Sequence, residues 1–262
     1  MININKVTAV FFSPTHGSER YAKAIAKEIS AEFEVLDLTR PDARRRRYEF
    51  KSDELVIFGA PVYAGRLPSV EGGIFDNVFG NDTPAVFTVS YGNRAYEDAL
   101  LEEKNICEAN GFKGIAAGAW IAPHTYSDKI AAGRPDSDDL KKVSEFAGKI
   151  KEIVLNKNLS EIGLEVPGDY PYREAKQAPF NPRGNKKCIS CGKCAEVCPV
   201  SAIDPKTPTL TDAEKCIACM ACAKNCPVGA RGVFAPVYKT ASLALESALL
   251  KTRKEPELFY CR

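Results

Sequence analysis

Apolar and polar positions come in two periods over the first 160 residues. Short unbroken apolar runs of strand length occupy 7–12, 33–38, 55–59, 85–89 and 115–121. Between or after them the period lengthens to that of a helix. Residues 20–30 place Tyr21, Ala24, Ile25 and Ile29 on one face, and 97–109 place Leu100, Leu101 and Ile106. Residues 136–155 carry Leu140, Val143, Phe146, Ala147, Ile150 and Val154 as one stripe. Strands that alternate with helices imply parallel strands joined by right-handed crossovers. Unbroken apolar strands imply a sheet covered on both faces. The expectation is an α/β unit over residues 1–160 built on a five-stranded, doubly wound parallel sheet.

Residues 166–185 are rich in Pro, Gly and Asn and have no period, so 161–185 is read as a surface linker. A cysteine-rich segment fills 186–235. The tail at 236–262 carries Leu243, Leu245 and Leu249 at helical spacing. It is too short for a domain and is expected to pack on one of the other units.

Composition narrows the class. A chain of 262 residues accommodates a standard domain plus a small one. With 45% hydrophobic and 27% charged residues it has the make-up of a soluble globular protein. A net charge of +2 gives no reason to expect nucleic acid or a membrane surface. The apolar run at 7–12 is too short for a secretory signal, and nothing approaches the roughly 18 apolar residues of a membrane span. A cytoplasmic location follows as an expectation. The run Arg44-Arg45-Arg46-Arg47 has no interleaved aromatics and reads as a solvated loop, or as an aid to docking an acidic redox partner.

Ten cysteines are the outlier, and eight lie between 188 and 226. Cys188, Cys191, Cys194 and Cys198 have the spacing C-x2-C-x2-C-x3-C followed by Pro199. Cys216, Cys219, Cys222 and Cys226 repeat it 28 residues later, followed by Pro227, and CPV-x-A recurs in both copies. Three thiolates so close in sequence can wrap one face of an iron–sulfur cubane, while the fourth points away to ligate the other cubane. Cys188, Cys191 and Cys194 are therefore expected to bind one cluster with Cys226, and Cys216, Cys219 and Cys222 the other with Cys198. Each proline is expected to end the short helix bearing its crossing cysteine. Zinc would leave the third cysteine of each motif and the Cys-Pro pairs unexplained, and disulfides would need an oxidising compartment. Residues 183–233 hold eight Lys/Arg against four Asp/Glu. That excess could offset cluster charge or simply form a solvated surface. Cys107 is expected to be buried and inert in a helix, and Cys261 has no evident partner.

Open parallel sheets bind ligands beyond the carboxyl ends of their strands. Ser13-Pro14-Thr15-His16-Gly17-Ser18 follows the first run, residues 59–68 the third, 90–96 the fourth and 122–126 the fifth. These loops gather hydroxyls, glycines and tyrosines, an inventory that suits a phosphate joined to a flat ring. The first loop has a plainer reading as a helix start capped by Ser13 or Thr15.

The loops GAPVYAGRLP and SYGNRAYEDAL, with the turn SPTHGS before them, resemble the flavodoxin family over about residues 5–155. The cysteine block resembles bacterial-type two-[4Fe–4S] ferredoxins, so nearly the whole chain is similar to flavodoxin-like domains fused to a small α+β two-cluster ferredoxin domain. The resemblance implies that FMN phosphate meets Ser13, Thr15, Gly17 and Ser18. It implies that the ring lies among Pro61, Val62, Tyr63, Ala64, Gly65, Tyr91, Gly92, Asn93, Arg94 and Tyr96. His16 departs from the family, which has glycine there; its side chain could crowd the phosphate or donate to it. His124 could also face the site, although each histidine has a purely structural reading.

FMN and two [4Fe–4S] clusters in one chain imply an internal electron relay serving a redox protein partner, with no nucleic acid and no membrane span. Iron–sulfur clusters of this kind suit an anaerobic or low-oxygen setting. An FMN-dependent reductase of a small acceptor, its flavin fed by the clusters, is the competing reading. A ferredoxin with a flavin-free docking domain is another. The absence of a G-x-G-x-x-G fingerprint and of an added substrate domain weighs against the reductase.

Overall fold

A computed structural model describes residues 2–262. Its main elements are β1 (Lys6–Phe11), α1 (Gly17–Ile29), β2 (Glu34–Asp37), β3 (Glu54–Pro61), β4 (Thr83–Tyr91), α2 (Ala99–Ala109), β5 (Phe112–Ile121), α3 (Ser137–Asn156), α4 (Pro236–Leu249) and β6 (Glu257–Tyr260). They form one sheet in the order β6-β5-β4-β3-β1-β2, in which β1 to β5 are parallel. Read along the parallel strands this is the 2-1-3-4-5 order of flavodoxin-like doubly wound sheets, whose direction of winding reverses between β1 and β3. All five expected strands are present.

The sheet is covered on both faces, which is why its central strands lack alternation. Every residue of β4 is buried. On one face α1 and α3 bring Tyr21, Ile25, Phe146 and Ile150 against Phe11 and Trp120. The Tyr21 ring stacks on Trp120 at 4.9 Å, and its hydroxyl donates to the Ile121 carbonyl at 2.6 Å. On the other face α2 and the loop residues Leu67, Ile74 and Phe75 cover Phe58, Phe87 and Phe112. Cys107 is fully buried there, as its helical position suggests. One residue of the α3 stripe differs. Leu140, in the first turn, is 47% exposed, while Ile153 is buried in the core.

A sixth strand was not expected. β6 lies antiparallel on β5, with Glu257 opposite Ala119 and Tyr260 opposite Ala116. Its side chains alternate between the two cores: Phe259 packs with one, Leu258 and Tyr260 with the other. The tail thus covers an edge that would otherwise offer free backbone groups. Cys261 follows it into the core, its amide donating to Ile115 O at 3.0 Å.

The linker is tied down along its length. Asp98 accepts from the amides of Asp169 and Arg173 at 3.0 and 2.7 Å, and Asn105 donates to the Tyr172 hydroxyl at 2.8 Å. Gln177 donates to the carbonyls of Ala213 and Cys216 at 3.1 and 3.2 Å, inside the cysteine unit.

The arginine run corrects the solvated-loop reading at one position. Arg45, Arg46 and Arg47 are exposed, but Arg44 is buried at the end of a helical turn spanning Pro41–Arg44. Its guanidinium donates to Leu38 O and Thr39 O at 3.0 and 2.8 Å, and to Pro199 O of the cysteine unit at 2.7 Å. Arg40 donates beside it to Glu196 O. A run of identical residues gave no sign that one would turn inward.

Replacing Arg44 with Met should leave the sheet folded but free the segment around Pro199. With charge-assisted bonds lost and carbonyls left unpaired, the docking should weaken by about 2–4 kcal/mol. Hydrogen exchange read by mass spectrometry should then rise across residues 194–203 with little change in the sheet.

Candidate functional site

The cysteine unit is built as a repeat in space. Its two helical turns, Lys193–Glu196 and Ala221–Lys224, stand 28 residues apart, as the motifs do. Left-handed backbone recurs at the same spacing, at Ser190 and Ala218, Gly192 and Met220, and Ser201 and Gly229. These reversals curl each motif around a centre. The backbone amides of Ala202 and Ala230 donate to the sulfurs of Cys198 and Cys226 at 3.3 and 3.2 Å, the same contact in both copies of CPV-x-A. The turns themselves carry Cys194 and Cys222. The crossing cysteines Cys198 and Cys226 lie two residues past their ends, so the prolines do not terminate a helix bearing them.

Two small cavities result. One is lined by Cys188, Cys191, Cys194 and Cys226, the other by Cys198, Cys216, Cys219 and Cys222. Each therefore takes three cysteines from one motif and one from the other. Among the described residues no three or more His, Cys, Asp or Glu gather tightly enough to hold a single metal ion. Burial opposes ionisation of Cys226, but the amides of Val228, Ala230, Arg231 and Gly229 outweigh it and hold the thiol below its ordinary value. Arg231, buried at 5% exposure, lines the first cavity and donates to Pro182 O at 3.0 Å and to Pro208 O. Sequence reasoning missed it, because nothing in CPVGAR distinguishes a buried arginine from a surface one.

At the carboxyl ends of the strands the loops interlock. Tyr63 and Arg66 exchange backbone bonds around Ala64 and Gly65, both at positive φ, in a tight hairpin turn. Gly65 O accepts from the Asp98 amide at 3.0 Å, and Arg66 pairs with both oxygens of Glu102 at 2.8 Å, so the loops after β3 and β4 form one wall. Behind it lies a cleft of about 670 Å³ lined by Tyr63, Tyr91, His124, Tyr126, Phe180 and Tyr238, among others. Tyr126, Phe180 and Tyr238 come from the loop after β5, the linker and α4. Their rings meet edge to face at 5.0 to 6.2 Å. The hydroxyls of Tyr63 and Tyr91 are buried without a hydrogen-bond partner. Burial raises the Tyr63 phenol well above its ordinary value.

Of the expected ring residues, Val62, Tyr63, Ala64, Gly65, Tyr91, Gly92 and Arg94 line this cleft. Pro61, Asn93 and Tyr96 do not. Asn93 donates to Leu249 O and Thr252 O, each at 2.8 Å, and accepts from the Lys254 amide at 3.1 Å. Tyr96 donates to Glu257 at 2.7 Å. Both side chains hold the tail, a contact with residues more than 150 positions away that the local motif does not signal.

The turn after β1 does not line the cleft. Gly17 stands against Ala122 and Ser90, and the Ser18 and Ser90 hydroxyls bond at 2.7 Å. Ser13 Oγ accepts from the Glu19 amide at 3.0 Å, so Ser13 caps the first turn of α1 from outside it. His16 takes the left-handed conformation usual for glycine, with φ of 65°, and its ring turns outward to Glu19 at 2.7 Å. It does not crowd the helix end, where the first-turn amides of Gly17 and Ser18 have no intrahelical partner. Thr15 is half-buried beside them.

The four-cysteine cavities fit cubanes, with thiols grouped in fours and amides aimed at sulfur. The cleft fits a flat ring: its volume is that of an ordinary ligand site, its walls are aromatic, and two buried hydroxyls lack partners.

Residues 187–230 match the family described as "4Fe-4S dicluster domain". Solved structures similar to this chain include a flavodoxin from the domain Archaea, at 14% identity over 58% of this chain and 99% of that one, with a TM-score of 0.38. Flavodoxin 2 from Bacillus cereus shows 15% identity over 56% and 98%, with a TM-score of 0.40. Rubredoxin oxygen:oxidoreductase from the anaerobe Desulfovibrio gigas shows 16% identity over 58% and 37%, with a TM-score of 0.38. No curated protein matches the sequence. Among the described residues no helix is long and apolar enough to cross a membrane.

His124 generates a pH prediction. Its Nδ1 accepts from the Tyr126 amide at 3.1 Å, which places the proton of the neutral ring on Nε2. Burial, then the cations Lys224 and Arg94, lower its pKa to about 4. Between that value and the ordinary 6.5 the unfolded chain takes up a proton that the folded chain refuses. Stability is therefore full above pH 6.5 and should fall, by up to about 3 kcal/mol, as pH drops through the window. Urea titrations from pH 7 to 4 should show this slope, reduced in His124→Gln.

Proposed function

We propose that this protein is an electron-transfer iron–sulfur flavoprotein, with FMN in the aromatic cleft and two [4Fe–4S] clusters in the cysteine unit, serving a redox protein partner. The observation that carries the reading is the pair of cavities, each lined by four thiols drawn three and one from the two motifs, beside a cleft at the carboxyl ends of a 2-1-3-4-5 sheet. Residues 1–160 form the flavin unit, 161–185 the strap, 186–235 the cluster unit, and 236–262 a tail that completes the sheet.

In this reading Cys188, Cys191, Cys194 and Cys226 hold one cubane and Cys198, Cys216, Cys219 and Cys222 the other. The amides of Gly17 and Ser18 and the hydroxyl of Thr15 take the phosphate, as helix starts do. Ser13 and Ser18 hold the turn in shape through their bonds to Glu19 and Ser90. Val62 to Gly65 form one side of the ring site, and Tyr91, Gly92 and Arg94 the other. Asn93 and Tyr96 fix that second loop by anchoring the tail. Bound FMN supplies exchange between two-electron and one-electron carriers. The rings of Tyr126, Phe180 and Tyr238 exclude water from the cleft, and Arg231 offsets cluster charge from a buried position.

Cofactor content of anaerobically reconstituted chain tests this. The expected result is close to one FMN, identified by chromatography after acid release, with about eight iron and eight sulfide, as two cubanes require. Eight iron without flavin would reduce the first unit to a docking domain. Four iron would leave one cavity without its cluster.

A further inference from the structure

The two cysteine cavities do not stand in the same relation to the cleft. Ile217 lines both the cleft and the cavity of Cys198, Cys216, Cys219 and Cys222. Its neighbours Glu214 and Lys215 also line the cleft. Gln177, another cleft residue, donates to the carbonyl of Cys216 at 3.2 Å. Tyr63 and Tyr126 line the cleft with Ile217. Among the described residues, none that lines the first cavity lines the cleft. That cavity opens outward instead: Cys191 is exposed, and Ile189 and Val228 on its rim are 61% and 41% exposed. Arg44 holds Pro199, next to Cys198, so the arrangement is fixed by a buried contact and not by the linker alone.

We infer that the Cys198/Cys216/Cys219/Cys222 set is the redox site facing the cleft, across a wall of Ile217, Tyr63 and Tyr126, and that the Cys188/Cys191/Cys194/Cys226 set is the outward terminal. The inference rests on the proposed cofactors and assigns their order. With the groups bound, a flavin hydroquinone anion would give up two electrons and one proton, the proton passing to solvent. The Cys198/Cys216/Cys219/Cys222 set would take the electrons one at a time, the second once the first had passed to the Cys188/Cys191/Cys194/Cys226 set, which would hand each in turn to an external one-electron acceptor protein.

A carboxylate placed in the wall or on the outer rim separates the possibilities, because added negative charge disfavours reduction of whichever group it adjoins. Spectroelectrochemical titration of the reconstituted chain should show that Ile217→Glu lowers the flavin midpoint and one cubane midpoint together. Ile189→Glu should lower the other cubane alone. Flavin moving with Ile189→Glu, or moving with Ile217→Glu while neither cubane does, would overturn the assignment.

Since Ile217→Glu could impair folding, a second measurement uses the unaltered chain. Limited chelation should strip the exposed outer cubane first. When iron has fallen by about half, light-driven reduction of the bound flavin with a tertiary-amine donor should still bleach the remaining cubane. A remaining cubane that the flavin cannot reduce contradicts the order. A chain that binds no flavin removes the parent reading instead, and shows no flavin midpoint in either experiment.

Discussion

Arg44 spans the seam between the sheet and the cysteine unit, and the geometry of the site depends on it. A guanidinium is buried at low cost only where oxygens surround it. Here the carbonyls of Leu38, Thr39 and Pro199 accept from its two terminal nitrogens, two from the loop after β2 and one from beside Cys198, while its buried Nε has no partner. The contact fixes the orientation of the Cys198–Pro199 segment against the flavodoxin-like unit. That orientation sets which cavity shares a wall with the cleft. The strap reinforces it through Gln177, and Asp98 pins the strap's other end.

The tail completes the same design from the opposite side. β6 extends the sheet, and α4 delivers Tyr238 to the cleft while Asn93 and Tyr96 hold its exit. The site therefore draws on every part of the chain: loops of the sheet, the strap, the cysteine unit and the tail. Four segments distant in sequence enclose one cleft, so its walls form only when the whole chain is folded.

Local chemistry was legible in the sequence and non-local contact was not. The eight cysteines announced two sets of four because their spacing alone dictates how the backbone must curl. The structure repeats that curl through left-handed residues 28 positions apart. The five parallel strands were legible because each buried run is continuous. Asn93 and Tyr96 carried the signature of a ring-binding loop, but their side chains serve a tail that lies far along the chain. Arg44 was hidden among three exposed arginines, and Phe180 and Tyr238 among polar and apolar stretches without a motif. The hydroxyls of Ser13 and Ser18 suited a phosphate by type; in the fold Ser18 is bonded to Ser90, while Ser13 accepts from the Glu19 amide and keeps its own proton to donate. The sequence motif names donors, and only the fold shows which remain free.

The most direct test of the shared wall is crystallography of the anaerobically loaded chain, with iron located by anomalous scattering. The account predicts flavin between the loops after β3 and β4, and two iron clusters, the nearer one ligated by Cys198, Cys216, Cys219 and Cys222. A nearer cluster ligated by Cys188, Cys191, Cys194 and Cys226, or a flavin outside that cleft, would contradict it.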